Sequence, residues 1–179
     1  CLTVSYTQLI VMKNLILILC LFCSSALFAQ TSSINWISIE EAVEAQKTNP
    51  KKIIMDVYTS WCGPCKMMMK NTFTDPNVIA YINQNYYAVK FNAESPDDID
   101  FQGRTFTNPT YDPNKKGRNG VHELSRALQV NAYPTIVYMS EEAQVIAPIK
   151  GYQTPPQIEL YLRFFNEGDY TSQDDWSTF

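Results

Sequence analysis

Trp61-Cys62-Gly63-Pro64-Cys65-Lys66 places two cysteines three positions apart, at the junction of two periodic segments. Before it, Ile53-Ile54-Met55-Asp56-Val57-Tyr58 is mostly apolar with β-branched residues, which predicts a buried strand interrupted by a single acid. After it, residues 62–71 are rich in Lys and Met, a helical composition. Pro64 fits the first turn of that helix, because the N–H it lacks would have no partner there anyway. Cys62 is therefore expected at a helix N-terminus, just beyond the end of a strand.

The chain of 179 residues corresponds to about one ordinary domain. With 45% hydrophobic and 18% charged residues it has material for a core, which excludes disorder, collagen-like repeats and coiled coils. Lys and Arg number 14 against 18 acids, and no basic block is longer than Lys115-Lys116, so a nucleic-acid partner has no electrostatic support. Residues 1–29 read as a secretory leader: Lys13-Asn14, then nine apolar residues from Leu15 to Cys23, then a small-residue exit near Ala29. A membrane anchor is the alternative, but it needs about 20 apolar residues, and Ser24-Ser25 breaks the run. Leu19 and Phe22 precede Cys20 and Cys23, which disfavours a lipoprotein signal, and Met12-Lys13 reads like a start preceded by an upstream extension. Without residues 1–29 the chain keeps 13 bases against 18 acids, and Cys62 and Cys65 are what is left of the five cysteines.

An exported chain meets an oxidising compartment, in which cysteines are usually paired. The one intramolecular bridge then available is Cys62–Cys65. It closes too short a loop to gain much entropy, so stability alone is a poor reason for it. Half of a zinc site is the other alternative, but zinc takes four ligands and the chain adds only His122. A redox dithiol remains.

Ser38 and Glu41 form a capping box for a helix over 39–48, which Asn49-Pro50 ends. Asp75-Pro76 separates the helix at 62–71 from a short one at 77–84. Residues 86–93 alternate as a strand and residues 120–129 read as a helix. Strands at 133–139 and 144–149 are joined by Ser140-Glu141-Glu142-Ala143, and a helix over 155–166 follows. Strands alternating with helices and ending in a hairpin predict an α/β sheet. Residues 94–119 hold Pro96, Gly103, Pro109, Pro113 and Gly117, too many breakers for a long regular element, and read as a surface insertion or a substrate lid. Residues 168–179 read as an acidic tail and are expected to be flexible. His122 reads as a surface histidine, Lys66 as a solvated helix residue, and at least one of Met67-Met68-Met69 as core.

The hexapeptide resembles the active-site motif of thioredoxin, and the resemblance extends over residues 34–167. Asp56 falls six residues before Cys62, where thioredoxins carry a buried aspartate. Lys90 matches the lysine that neighbours it, Tyr133-Pro134-Thr135 matches the cis-proline segment facing the dithiol, and Gly151 matches a glycine beside the substrate groove. Thr72-Phe73-Thr74-Asp75-Pro76-Asn77-Val78 is more similar to exported thioredoxin-like proteins and to the C-terminal periplasmic domain of the transmembrane thiol-electron transporter. The chain departs from the family at Lys70, where thioredoxin has a helix-kinking proline, at Tyr133, usually aliphatic, and in the longer connection at 94–119. The resemblance implies an α/β thioredoxin fold over 30–167, with a central mixed sheet flanked by helices and an insertion before the third helix.

A helix N-terminus favours a thiolate, and the first cysteine of a C-x-x-C receives most of that help, so Cys62 is the expected nucleophile. Cys65, one turn inward and expected to be more buried, is the resolving thiol. Asp56, raised in pKa by burial, is expected to accept the Cys65 proton through a water, with Lys90 holding it in check. A buried ion pair kept for packing is the alternative reading of Asp56 and Lys90. By the resemblance, Trp61, Gly63, Pro64, Tyr133, cis-Pro134 and Gly151 bind substrate around Cys62, the Tyr133 backbone pairing with an extended segment; for Trp61 and Tyr133 core packing is the alternative. Together these imply an exported, periplasmic, monomeric thiol-disulfide oxidoreductase. It would reduce protein disulfides, draw electrons from a membrane donor, and use no metal and no cofactor beyond its own Cys62–Cys65 disulfide. An oxidase or isomerase, or a binding module with an idle dithiol, is the alternative.

Overall fold

The computed structural model describes residues 33–168, so the leader expected over 1–29 and nearly all of the expected acidic tail lie outside the described residues. The elements in chain order are β1 (Trp36–Ile37), α1 (Ile39–Gln46), β2 (Lys52–Tyr58), α2 (Gly63–Asn71), α3 (Pro76–Asn85), β3 (Tyr86–Asn92), β4 (Ile99–Phe101), β5 (Arg104–Phe106), α4 (Glu123–Ala127), β6 (Thr135–Met139), β7 (Val145–Lys150) and α5 (Pro155–Glu167). Five strands form one sheet in the order β1-β3-β2-β6-β7. The first three run parallel, β6 runs antiparallel to β2, and β7 runs antiparallel to β6. This is the mixed sheet flanked by helices that the sequence predicts.

Successive side chains of a strand point to opposite faces, so β2 contributes to two cores. Met55 and Val57 pack with Val89, Phe91, Ile39 and Leu124 on the side of α1 and α4. Ile54 packs with Ala88, Ile136, Met68, Ile82 and Leu162 on the side of α2, α3 and α5. Asp56 follows Ile54 by two and so lies on the α2 side. Its neighbours in register are Lys90 on β3 and Ile136 on β6.

Helix α1 begins at the expected capping box, with the Ser38 N–H donating to Glu41 and the Glu41 N–H donating to the Ser38 hydroxyl. Asp75 caps α3 by accepting from the N–H groups of Asn77 and Val78. Strand β1 has only two residues, too few for any periodicity to show.

Residues 94–119 correct the reading of this stretch as irregular surface. Ile99–Phe101 and Arg104–Phe106 pair antiparallel around Gln102 and Gly103, both with positive φ, the backbone of a two-residue hairpin turn. Phe101 and Phe106 join the core on the α1 side, so the hairpin is held by apolar burial. The helix expected at 120–129 is shorter, Glu123–Ala127, and His122 is its cap. His122 is 0% exposed, which overturns its reading as a surface histidine. Its Nδ1 accepts from the Leu124 N–H, and Nε2 lies 2.9 Å from the Asp97 carbonyl oxygen, tying the helix to the insertion.

Candidate active site

Cys62 is the N-cap of α2, and Pro64 occupies the first turn of the helix. Its sulfur accepts from the Cys65 N–H at 3.1 Å and is bonded to the Cys65 sulfur, with the two Cα atoms 5.3 Å apart. The Cys62 N–H donates to the Thr59 carbonyl, which anchors the turn between β2 and α2. Both cysteines are 3% exposed, so the expected difference in burial is absent. The bond and the Cys65 N–H hold the Cys62 sulfur against the first turn of the helix. Gly63 and Pro64, between them, are exposed.

Asp56 is 1% exposed, and neither of its carboxyl oxygens has a hydrogen-bond partner among the described residues. Burial pushes its pKa up to about 7, against the opposing pull of the Lys90 charge. Lys90 forms no ion pair with it among the described residues; its Nζ sits 4.7 Å from the centre of the Tyr58 ring. Cys65, Lys90 and Tyr58 line one cleft of about 360 Å³. A lysine and one of the two cysteines thus share this cleft, and Asp56 is the register neighbour of that lysine on β2.

On the other side, Trp61 is 36% exposed and meets Tyr133 edge to face at 5.9 Å. The peptide bond between Tyr133 and Pro134 is cis. Gly151 donates its N–H to the Pro134 carbonyl at 2.8 Å, and its φ of +94° is one that L side chains rarely adopt. Gly151 therefore acts on the proline loop rather than on the sulfurs.

Glu94 and residues 118–119 of the insertion belong to this neighbourhood, and sequence reasoning missed them. Glu94 is 7% exposed and accepts from the Trp61 indole N–H and from the Asn119 N–H, both at 2.9 Å. The Arg118 guanidinium lies 4.3 Å from the Trp61 ring centre. Glu94 comes just past the end of β3, where a run of breakers hides it among loop residues. Of the residues set aside in the sequence, Lys66 is exposed and Met68 is fully buried.

Over 141 residues the chain is 23% identical to the thiol:disulfide interchange protein DsbD of Pectobacterium atrosepticum, covering 76% of this chain and 21% of that protein. It thus spans about a fifth of that relative's length. A thioredoxin-fold protein from Helicobacter pylori superposes with a TM-score of 0.55 at 18% identity, over 83% of this chain and 85% of the other. A putative disulphide-isomerase from Bacteroides thetaiotaomicron gives 0.53 at 24% identity, over 79% and 99%. At such identities the two solved structures speak for the fold alone. The pattern of the thioredoxin-like domain family runs from residue 39 to residue 166, through the dithiol, the cis-proline loop and both cores, and the chain belongs to that family.

Proposed function

We propose that this protein is an exported thiol-disulfide oxidoreductase that reduces protein disulfides in a periplasm-like compartment. The observation that carries the reading is the Cys62–Cys65 bridge at the N-terminus of α2, following a strand that holds the buried Asp56, whose pKa is pushed up to about 7. In the reduced protein the helix N-terminus favours the Cys62 thiolate. That thiolate attacks one sulfur of a substrate disulfide; the new bond joins Cys62 to the substrate, and the other substrate sulfur leaves as a thiolate and takes a proton. Cys65 then loses its proton to Asp56, directly or through a water, and attacks the Cys62 sulfur. The mixed bond breaks, the second substrate sulfur leaves reduced, and the Cys62–Cys65 disulfide forms. Two electrons have passed to the substrate, with no group beyond the protein's own sulfurs.

Trp61, Tyr133 and the cis-Pro134 loop border the nucleophile and hold an extended substrate segment by strand addition, with Gly151 fixing the loop. The protein is left oxidised after each turnover and needs a two-electron donor. The likeness to DsbD supports a membrane thiol donor and an exported location. No described helix is long and apolar enough to cross a membrane.

The test is a redox titration of the Cys62–Cys65 pair against a dithiothreitol or glutathione series, read by thiol alkylation and mass. A midpoint near about −270 mV is expected for a reductase. A midpoint between about −180 and −120 mV moves the reading to isomerase or oxidase. The absence of any reversible dithiol removes the enzyme reading and leaves a binding module.

A further inference from the structure

The chain is acidic, with 14 bases against 18 acids, yet two grooves beside its dithiol carry mainly basic side chains. Lys66, Lys70 and Lys90 line the cleft of about 360 Å³ beside Cys65. Arg118 and Arg126 line a second groove, of about 520 Å³, on the Trp61 and Tyr133 side. Among the described residues Glu94 is the one acid lining either groove, and it is 7% exposed and already accepts from Trp61 and Asn119. Among the described residues none of the five cations is ion-paired with a carboxylate, and Lys66, Lys70, Arg118 and Arg126 are exposed.

We propose that the two grooves select redox partners whose cysteines are flanked by acidic residues, with Arg118 of the insertion and Arg126 of α4 as specificity-determining residues on one side and Lys66 and Lys70 on the other. This rests on the redox role proposed for Cys62 and Cys65. Unpaired cations beside an apolar floor of Trp61, Tyr133 and Met69 fit a polypeptide carrying carboxylates better than a bare polyanion. The remaining net negative surface repels acidic partners elsewhere, so the field steers an acidic segment to the dithiol. The insertion acquires a function here: it brings Arg118 over the Trp61 ring, and the Glu94 bonds to Trp61 and Asn119 hold it there.

The test uses two peptides closed by one internal disulfide and identical except for aspartates or lysines flanking the cysteines. Each is mixed with full-length protein that has been reduced and freed of reductant, and loss of the peptide disulfide is followed by mass. Uncharged hydroxyethyl disulfide reports on the dithiol itself. At about 20 mM salt the aspartate peptide is expected to be reduced at least about tenfold faster than the lysine peptide, a ratio that falls towards one at about 1 M salt. In an Arg118→Gln, Arg126→Gln variant the ratio falls several-fold at low salt. Equal rates, or a faster lysine peptide, while hydroxyethyl disulfide is reduced, overturn the acid preference and leave the redox reading standing. An acid preference that survives high salt overturns its electrostatic origin. Failure to reduce any of the three disulfides overturns the redox reading itself, and this proposal with it.

Discussion

Asp56 ties the proposed chemistry to the stability of the protein. Its folded pKa of about 7 lies above the ordinary value of 3.8, because burial disfavours the charged form more than Lys90 favours it. The folded protein therefore holds a proton that the unfolded chain has released between these two values. Stability from this group is full below about pH 4, falls as pH rises towards 7, and is level above that. Asp56→Asn removes the penalty, and denaturant unfolding at pH 8 is expected to show a variant more stable by a few kcal/mol, since each tenfold change in proton affinity is worth about 1.4 kcal/mol. The two proteins should converge at pH 4. The same change removes the base for Cys65, so disulfide reduction is expected to slow by about 10²-fold, with loss of the inflection near neutral pH in the rate profile. An unchanged profile would remove Asp56 from the proton path. Cys62→Ser is expected to abolish turnover, and Cys65→Ser to stall at the mixed disulfide, seen as covalent adducts in non-reducing mass spectra. Absence of adducts would count against the proposed order of attack.

The helix α4 and the insertion depend on one another through His122 and Gly120. The His122 side chain caps a helix of five residues and contacts the Asp97 carbonyl at the same time. His122→Ala is expected to cost about 1–3 kcal/mol in unfolding free energy, from the lost cap and an unpaired buried N–H. A Cβ on Gly120 would come within 2.4 Å of the Thr110 backbone, so Gly120→Ala forces the insertion to move. Because Asn119 and Arg118 precede it and touch Glu94 and Trp61, a shift in Trp61 fluorescence is expected along with lower thermal stability. A Gly120→Ala protein with native fluorescence would mean that the strain is absorbed on the Thr110 side. The hairpin β4-β5 escaped notice because Gln-Gly is a weaker turn signal than Asn-Gly, and its strands of three residues are too short to show alternation. His122 misled for a related reason: a polar residue at the start of a polar helix looks solvated until the segment packed over it is known.

Across the fold, two apolar layers clamp a sheet that carries an acid at its centre, and the layer under α2 does most to place the dithiol. Met68, fully buried on that side and one turn below Cys65, belongs with Ile54, Ile136 and Leu162. Met68→Ala is expected to destabilise by about 2–5 kcal/mol in denaturant titrations, and a loss under about 1 kcal/mol would mean that the site collapses around the smaller side chain. Most of this frame was legible in the residues: the apolar period placed β2, β3, β6 and β7, Ser38 and Asp75-Pro76 marked helix starts, and the Cys62–Cys65 spacing with Pro64 marked the N-terminus of α2. These are local signals, carried by a few consecutive side chains and their backbone preferences. Glu94 against Trp61, Arg118 over the indole, His122 beneath the insertion and the equal burial of the two sulfurs had no such signal. Each depends on segments about 25 or more residues apart meeting in space, or on a bond that joins the two side chains. Strand, helix and dithiol were thus written in short-range chemistry, whereas the charge around the dithiol followed from long-range packing, which no local pattern encodes.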